Sequence, residues 1–385
     1  MRADAFRKSL EKAGQASFLQ GNCLQILQDG DLAFEEVFRD VEEAQKLICL
    51  EYYIFRDDET GWALAELLAR KSQEGVQVNL IYDHFGSIST SDRFWSFLKS
   101  YGVRVRSFHP PQGWTPSLYF HRDHRKLAVI DGRVAFTGSL NVGDEYRGYR
   151  KKKLKGWRDT AVKIQGPIAG VMLEAFQESW QECGGPEIRE NLAGLTKGAE
   201  AQENIAILPL LSSSRKKMRS LRRLLQFSLH AAQKSIHLTM AYFIPTHKFL
   251  RSLVMAARRG LEVRIILPGQ TDLRLLAYVG RTYYPTLLRE GVEIYHYQPR
   301  VLHAKTMVFD SHWTIIGSIN LDSRSFNYNY ECGVGVLDPG LGLDMENIFT
   351  QDLAESAPVR VKDLLQWPFH EKAIGMILSW FRSYL

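Results

Sequence analysis

The chain has 385 residues, 45% hydrophobic and 24% charged, which suits two globular domains and excludes a disordered or fibrous protein. A formal net charge of +6 favours an acidic partner without distinguishing lipid, nucleic acid or a small phosphate ester. The four cysteines (Cys23, Cys49, Cys183, Cys332) show no metal-ligand or CxxC spacing and read as reduced core thiols. The N-terminal residues lack the apolar segment of a signal peptide, and no stretch reaches the ~18 apolar residues of a spanning helix. The expectation is a cytoplasmic protein that lies on the inner membrane without crossing it.

In chain order, the apolar run ICLEYYIF at 48–55 predicts a strand. A helical pattern follows, then a second strand, GVQVNLIY, at 75–82. Asp83 and His84 end that strand, at the edge where open α/β sheets bind ligands. The segment YGVRVRSFHP at 101–110 leads into an aromatic and proline-rich insertion at 111–123 that carries Trp114, Tyr119 and Phe120. Next come HRKLAVIDGRVAFTGSLN at 124–141, the cationic RGYRKKKLK at 147–155 and the strand opened by WRDTAVKI at 157–164. The same series then recurs: IHLTMAYFIP at 236–245, GLEVRIIL at 260–267, EGVEIYHYQP at 290–299 and HAKTMVFDSHWTIIGSIN at 303–320. Gly102 and Gly291 are offset by 189 positions and His124 and His303 by 179, so the first copy has about ten extra residues before its motif.

Strands alternating with helices predict an α/β fold of two duplicated lobes, each a mainly parallel sheet flanked by helices. The Gly/Pro/Glu-rich stretch at 184–203 sets the boundary, giving lobes 1–195 and 196–385. A pseudo-twofold axis would place the active site at the interface between them.

Each copy reads H-x-K-x4-D-x6-G-S-x-N. Alternation along a strand puts His124 and Lys126 on one face, and likewise His303 and Lys305. Ser139, Asn141, Ser318 and Asn320 are the expected phosphate-binding donors. Asp131 and Asp310, counted with the catalytic set, are expected at turns, anchoring backbone or a cation in support of the site. The set suits phosphodiester chemistry: lysine and amide donors neutralise the non-bridging oxygens, and histidine can serve as nucleophile or acid. One histidine per lobe makes two lobes necessary. His124 would form a phosphohistidine while His303 handles the proton, a scheme that needs no metal and no cofactor. Asp159 is assigned to orient His124, and Glu331 to orient His303. His121 and His124 stand three apart, with no further ligands to suggest zinc.

This doubled motif resembles the phospholipase D superfamily, and within it the bacterial cardiolipin synthases. The carrying segments are LEYYIFRDDETG at 50–61, DHRKLAVIDG at 123–132, NVGDEY at 141–146, WRDTAVKIQGP at 157–167 and GSINLDSRSFNYNYE at 317–331. AYFIPT at 241–246 is similar to the soluble, B-type branch, and Gly138-Ser139 departs from the Gly-Gly of many members. The resemblance implies phosphatidyl transfer between two molecules of phosphatidylglycerol at a membrane surface, with glycerol released and no nucleic acid involved. The alternative is a hydrolase of the same superfamily, a phospholipase D or nuclease with water as acceptor.

Two basic clusters, at 147–155 and 215–223, fit either a solvated surface or an anionic lipid. At 369–385 the apolar residues Phe369, Ala373, Ile374, Met376, Ile377, Trp380, Phe381 and Tyr384 form one helical stripe. That stripe fits a helix packed on its own lobe or one lying in the headgroup layer.

Overall fold

The computed structural model describes residues 3–111, 120–148, 155–188 and 204–381. Most of the expected lobe boundary, Trp114 and Tyr119 of the insertion, most of the first basic cluster and Tyr384 lie outside the described residues.

The first half contributes β1 (Leu19–Gln28), β2 (Leu47–Tyr52), β3 (Gln77–Asp83), β4 (Arg104–Phe108), β5 (Lys126–Ile130), β6 (Val134–Gly138) and β7 (Thr160–Gln165). The second repeats them as β8 (Ile205–Ser212), β9 (Ser235–Met240), β10 (Glu262–Pro268), β11 (Glu293–Tyr297), β12 (Lys305–Phe309), β13 (Trp313–Gly317) and β14 (Glu331–Leu337), then adds β15 (Ser356–Pro358). All join one sheet, ordered β15-β11-β10-β9-β12-β13-β14-β8-β1-β7-β6-β5-β2-β3-β4. The lobes meet where β1 runs antiparallel to β8. Residues of both halves, among them Val162, Phe176, Trp180, Ile316, Val334 and Met345, share one apolar core across that seam.

The duplicated α/β design stands, but the mainly parallel sheet does not. Parallel pairing is confined to β2-β3-β4 and β9-β10-β11. The strands that carry the motifs pair antiparallel. Parallel neighbours need a crossover of a dozen or more residues, whereas three residues link β5 to β6 and β12 to β13.

Those short links explain the motif aspartates. Asp131 and Gly132 have φ of 50° and 61°, and Asp310 and Ser311 have 54° and 59°. Two successive left-handed residues make a type I′ turn, which Asp tolerates better than most side chains. Asp131 accepts backbone N–H bonds from Gln45, Lys46 and Leu47 at 2.8–2.9 Å. Asp310 does the same for Gln233, Lys234 and Ser235 at 2.7–3.1 Å. Both therefore tie a turn to the start of the neighbouring strand. A strand's length, roughly 20 Å at about 3.3 Å per residue, separates each from the histidine of its motif. They anchor backbone, as expected, and take no place at the reacting centre.

Arg158 fastens the seam. Its guanidinium grips Asp352 of the second half at 2.7 and 2.8 Å, with both side chains buried. Arg158→Leu leaves the Asp352 carboxylate buried and unpaired, and is expected to cost about 3–5 kcal/mol in urea unfolding. The double variant Arg158→Leu/Asp352→Leu should recover most of that loss. Equal destabilisation by both would show that the pair is not the cause.

Candidate active site

The two motif strands deliver their residues to one point on the seam. His124 and His303 stand two residues before the first strand turn inward, just ahead of Lys126 and Lys305 at the starts of β5 and β12. Each histidine is fixed by the opposite lobe. The N–H of His124 donates to the carbonyl of Tyr330 at 3.0 Å, and that of His303 to the carbonyl of Arg158 at 2.8 Å.

The carboxylates follow the same exchange. Nδ1 of His124 lies 3.1 and 3.2 Å from the two oxygens of Glu331. Nδ1 of His303 lies 2.8 Å from Oδ2 of Asp159. Asp159 and Glu331 thus each meet an imidazole, but the expected pairing is reversed. The reason is topological. Strand-like bridges join Asp123 to Tyr330 and Arg158 to Leu302, so the residue before each histidine abuts the residue before the other lobe's carboxylate. Asp83 supports this arrangement, since its buried carboxylate accepts the N–H of Asp123 at 2.9 Å.

Ser139 and Ser318 do not face a phosphate site. Ser139 gives its hydroxyl to Asp159, and Ser318 gives its hydroxyl to Glu331. They brace the carboxylates rather than the substrate, which corrects their expected role. Asn141 accepts the N–H of Ile54 at 3.1 Å and donates to the Tyr146 hydroxyl at 2.9 Å. Its amide keeps one further donor hydrogen. Asn320 occupies the equivalent position, buried, with its side-chain oxygen unpaired.

The lysines bend back on their own histidines. Nζ of Lys126 donates to the His124 carbonyl at 2.7 Å, and Nζ of Lys305 to the His303 carbonyl at 2.6 Å. Lys305 also reaches Nε2 of His303 at 3.1 Å. All four side chains are buried. Burial lowers Lys126 to about 7 and Lys305 to about 8, against the pull of Glu331 and Asp159 on both, and the Lys305 ammonium adds repulsion at Lys126. A bound phosphodiester anion would restore full charge to both.

The two carboxylates differ. Burial pushes Glu331 up to about 7, against the pull of Lys126 and the hydroxyls of Ser318 and Ser325. Asp159 is equally buried, yet His303, Lys305 and Ser139 together hold it below the usual carboxylate range. His124 is driven well below its ordinary value by burial and then by Lys126, Lys305 and His303. His303 is lowered by burial and Lys305, with Asp159 pulling the other way. The site therefore holds a neutral imidazole over a carboxyl that resists ionising, opposite an imidazole paired with a firmly ionised one.

Comparison with known proteins agrees with this geometry. The family described as "Cardiolipin synthase, PLD-like domain" matches residues 37–180 and 225–353, more than half of the chain. The chain belongs to this phospholipase D-like family. It is 31% identical over 366 residues to cardiolipin synthase A of Pseudomonas fluorescens, covering 95% of this chain and 75% of that protein. It is 32% identical over 363 residues to cardiolipin synthase A of Pseudomonas syringae, covering 94% and 74%. These relatives carry the A designation rather than the B-type branch, so the assignment stands at the level of the family. In fold, it is similar to phosphatidylserine synthase of Haemophilus influenzae, with a TM-score of 0.76 at 15% identity over 99% of this chain and 100% of that one. It is also similar to polyphosphate kinase of Porphyromonas gingivalis, with a TM-score of 0.56 at 13% identity over 91% and 52%.

Sequence reasoning missed the aromatic walls of this phospholipase D-like site. The Tyr53 ring meets the His124 ring edge-on at 5.2 Å and lies 5.3 Å from the Lys126 ammonium. Tyr242 stands the same way, 6.1 Å from His303 and 5.7 Å from Lys305, with its hydroxyl on Asp272. The two tyrosines are offset by 189 positions, the offset of the repeat, so aligning the copies would have found them. Tyr146 and Trp157 close on His303 at 5.3 and 5.6 Å. Ser325, which occupies the repeat position of Tyr146, instead donates to Glu331 at 2.7 Å. No pattern in the sequence marks that exchange.

Among the described residues no group of His, Cys, Asp and Glu is placed to hold a metal ion. No described helix is long and apolar enough to cross a membrane. The helix Phe369–Ser379 settles against the helix Arg274–Arg281, with Gly375 so close to the Tyr278 carbonyl that a Cβ would collide at 2.4 Å. Only part of its apolar stripe is covered. Phe369 and Trp380 are 82% and 84% exposed, beside exposed Met376, Ile377, Phe381 and Leu275.

Proposed function

We propose that the chain is a phosphatidyltransferase that joins two molecules of phosphatidylglycerol into cardiolipin and releases glycerol, working through a phosphohistidine. The observation that carries this reading is the crossed pair of histidines, each with its own lysine and the other lobe's carboxylate. Glu331 takes the Nδ1–H of His124 and leaves Nε2 as a lone pair for attack on phosphorus. Lys126 and Lys305 neutralise the non-bridging oxygens as charge builds. His303, beside ionised Asp159, protonates the departing glycerol oxygen, then removes the proton of the incoming hydroxyl. The phosphatidyl group waits on His124 between the two steps.

The aromatic walls favour an alcohol over water as acceptor. Tyr53, Tyr146, Trp157 and Tyr242 surround the imidazoles and keep the reacting centre poor in water. Cardiolipin and free glycerol are the expected products from phosphatidylglycerol vesicles, and activity should persist in EDTA. Phosphatidic acid as the main product would instead make the enzyme a hydrolase, and a strict metal requirement would overturn the histidine scheme.

The lipid surface is met by the exposed face at Phe369 and Trp380. Phe369→Ser/Trp380→Ser should weaken binding to phosphatidylglycerol vesicles by about 2–3 kcal/mol, roughly 30–100-fold. Unchanged binding by the folded variant would move the membrane contact elsewhere.

A further inference from the structure

Joining two phospholipids requires two phosphodiester anions near one centre. The donor phosphate lies between the histidines, where Lys126 and Lys305 neutralise it. The acceptor brings a second negative charge, three carbons from the hydroxyl that reacts. Nothing in the motif residues answers that charge, and the first anion repels it.

The lobes differ sharply in one pair of equivalent helices. The helix Gly30–Glu43 follows β1 and carries Asp31, Glu35, Glu36, Asp40, Glu42 and Glu43 against a single Arg39. Its counterpart after β8, Arg215–Ala231, carries Arg215, Lys216, Lys217, Arg219, Arg222 and Arg223 and no acidic residue. Lys217 is paired with Glu178 at 2.7 Å. Among the described residues no carboxylate lies within ion-pair distance of Arg215, Lys216, Arg219 or Arg222.

Arg215, Arg219 and Arg222 follow helical spacing and so share one face. They line a cavity of about 340 Å³ whose opposite wall includes His121, Asn327 and Tyr328. Two of these residues are close in the chain to the reacting centre: His121 is three residues from His124, and Tyr328 three from Glu331. Three residues of extended chain span at most ~10 Å. This is a cationic cavity at the rim of the site, lined from both lobes, and the helix that supplies its arginines has an acidic counterpart in the first lobe.

We propose that Arg215, Arg219 and Arg222 form the subsite for the phosphate of the acceptor lipid, an inference that rests on the transferase reading above. Guanidinium groups suit it, since each can offer paired donors to a phosphate oxyanion.

The test is a partition experiment on the full chain in neutral-detergent micelles of phosphatidylglycerol with ethanol added. Both acceptors then compete for the same phosphohistidine, and ethanol has no phosphate. Arg219→Gln/Arg222→Gln is expected to lower the ratio of cardiolipin to phosphatidylethanol at least tenfold while total glycerol release holds. Arg219→Lys/Arg222→Lys should recover part of the ratio. An unchanged ratio overturns the subsite, as does a parallel fall in both products, which would place the arginines in donor or membrane binding. Tighter binding of an oligonucleotide than of phosphatidylglycerol at equal phosphate, lost in the glutamine variant, would overturn it in favour of nucleic acid. Absence of cardiolipin from the unaltered enzyme is a different result: it refutes the transferase reading itself.

Discussion

His303→Ala is expected to turn over phosphatidylglycerol about 10⁴-fold more slowly yet still form the phosphohistidine when the leaving group needs no acid. A phosphatidyl ester of p-nitrophenol supplies such a leaving group. The variant should release one equivalent of nitrophenol in a burst and then stall, because nothing remains to deprotonate the acceptor. Phosphate label should stay on His124 after rapid denaturation. His124→Ala should give no burst with either substrate. These roles follow from the unequal carboxylates. A nucleophile must be neutral, and His124 sits deeply depressed over a carboxyl pushed up to about 7. The acid must carry a proton, and although burial and Lys305 lower His303, the ionised Asp159 pulls it back up, a partner that His124 lacks. A burst in His124→Ala, with label on His303, would reverse the assignment.

The sequence showed the duplication, both histidines and both lysines because each pair repeats at an offset of 179 positions, and both carboxylates because each stands at the start of the apolar strand after its G-S-x-N. Repetition exposes what two lobes share. It conceals how they meet, and the reversed pairing of histidines and carboxylates lies there. Asp159 is close to His124 in the chain and was paired with it, but the bridge of Arg158 to Leu302 places it under His303. Ser139 and Ser318 alternate correctly with Asn141 and Asn320, yet strand alternation cannot say that a carboxylate from the next strand lies beneath the serines. The mainly parallel sheet failed for a local reason. β-α-β units at 48–82 and 236–267 suggested it, whereas the hairpins at Asp131 and Asp310 forced antiparallel pairing beside them. Tyr146 and Ser325 occupy one repeat position with different tasks, which only three-dimensional neighbours reveal.

Glu331→Gln and Asp159→Asn should each lower turnover of phosphatidylglycerol by about 10³–10⁴-fold, near 4–5.5 kcal/mol of barrier, as loss of an orienting carboxylate does elsewhere. The crossed pairing predicts how they differ. With the p-nitrophenyl substrate, Asp159→Asn should keep the burst, since it disables only the acid, while Glu331→Gln should lose it with the nucleophile's tautomer. Pairing within a lobe would give the opposite pattern. Stability supplies an independent reading of Glu331. Its carboxyl rises from an ordinary 4.5 to about 7 on folding. Below pH 4.5 both states hold the proton, so nothing is lost. Between 4.5 and 7 only the unfolded chain releases it, so stability falls as pH rises, by about 3 kcal/mol in full above 7. Glutamine never ionises, so Glu331→Gln should gain stability relative to the unaltered chain between pH 5 and pH 8 in urea unfolding. A difference that does not change with pH would mean that the Glu331 charge is fully compensated. A gain in stability with a loss of activity would show that the fold gives up free energy to keep this carboxylate under His124.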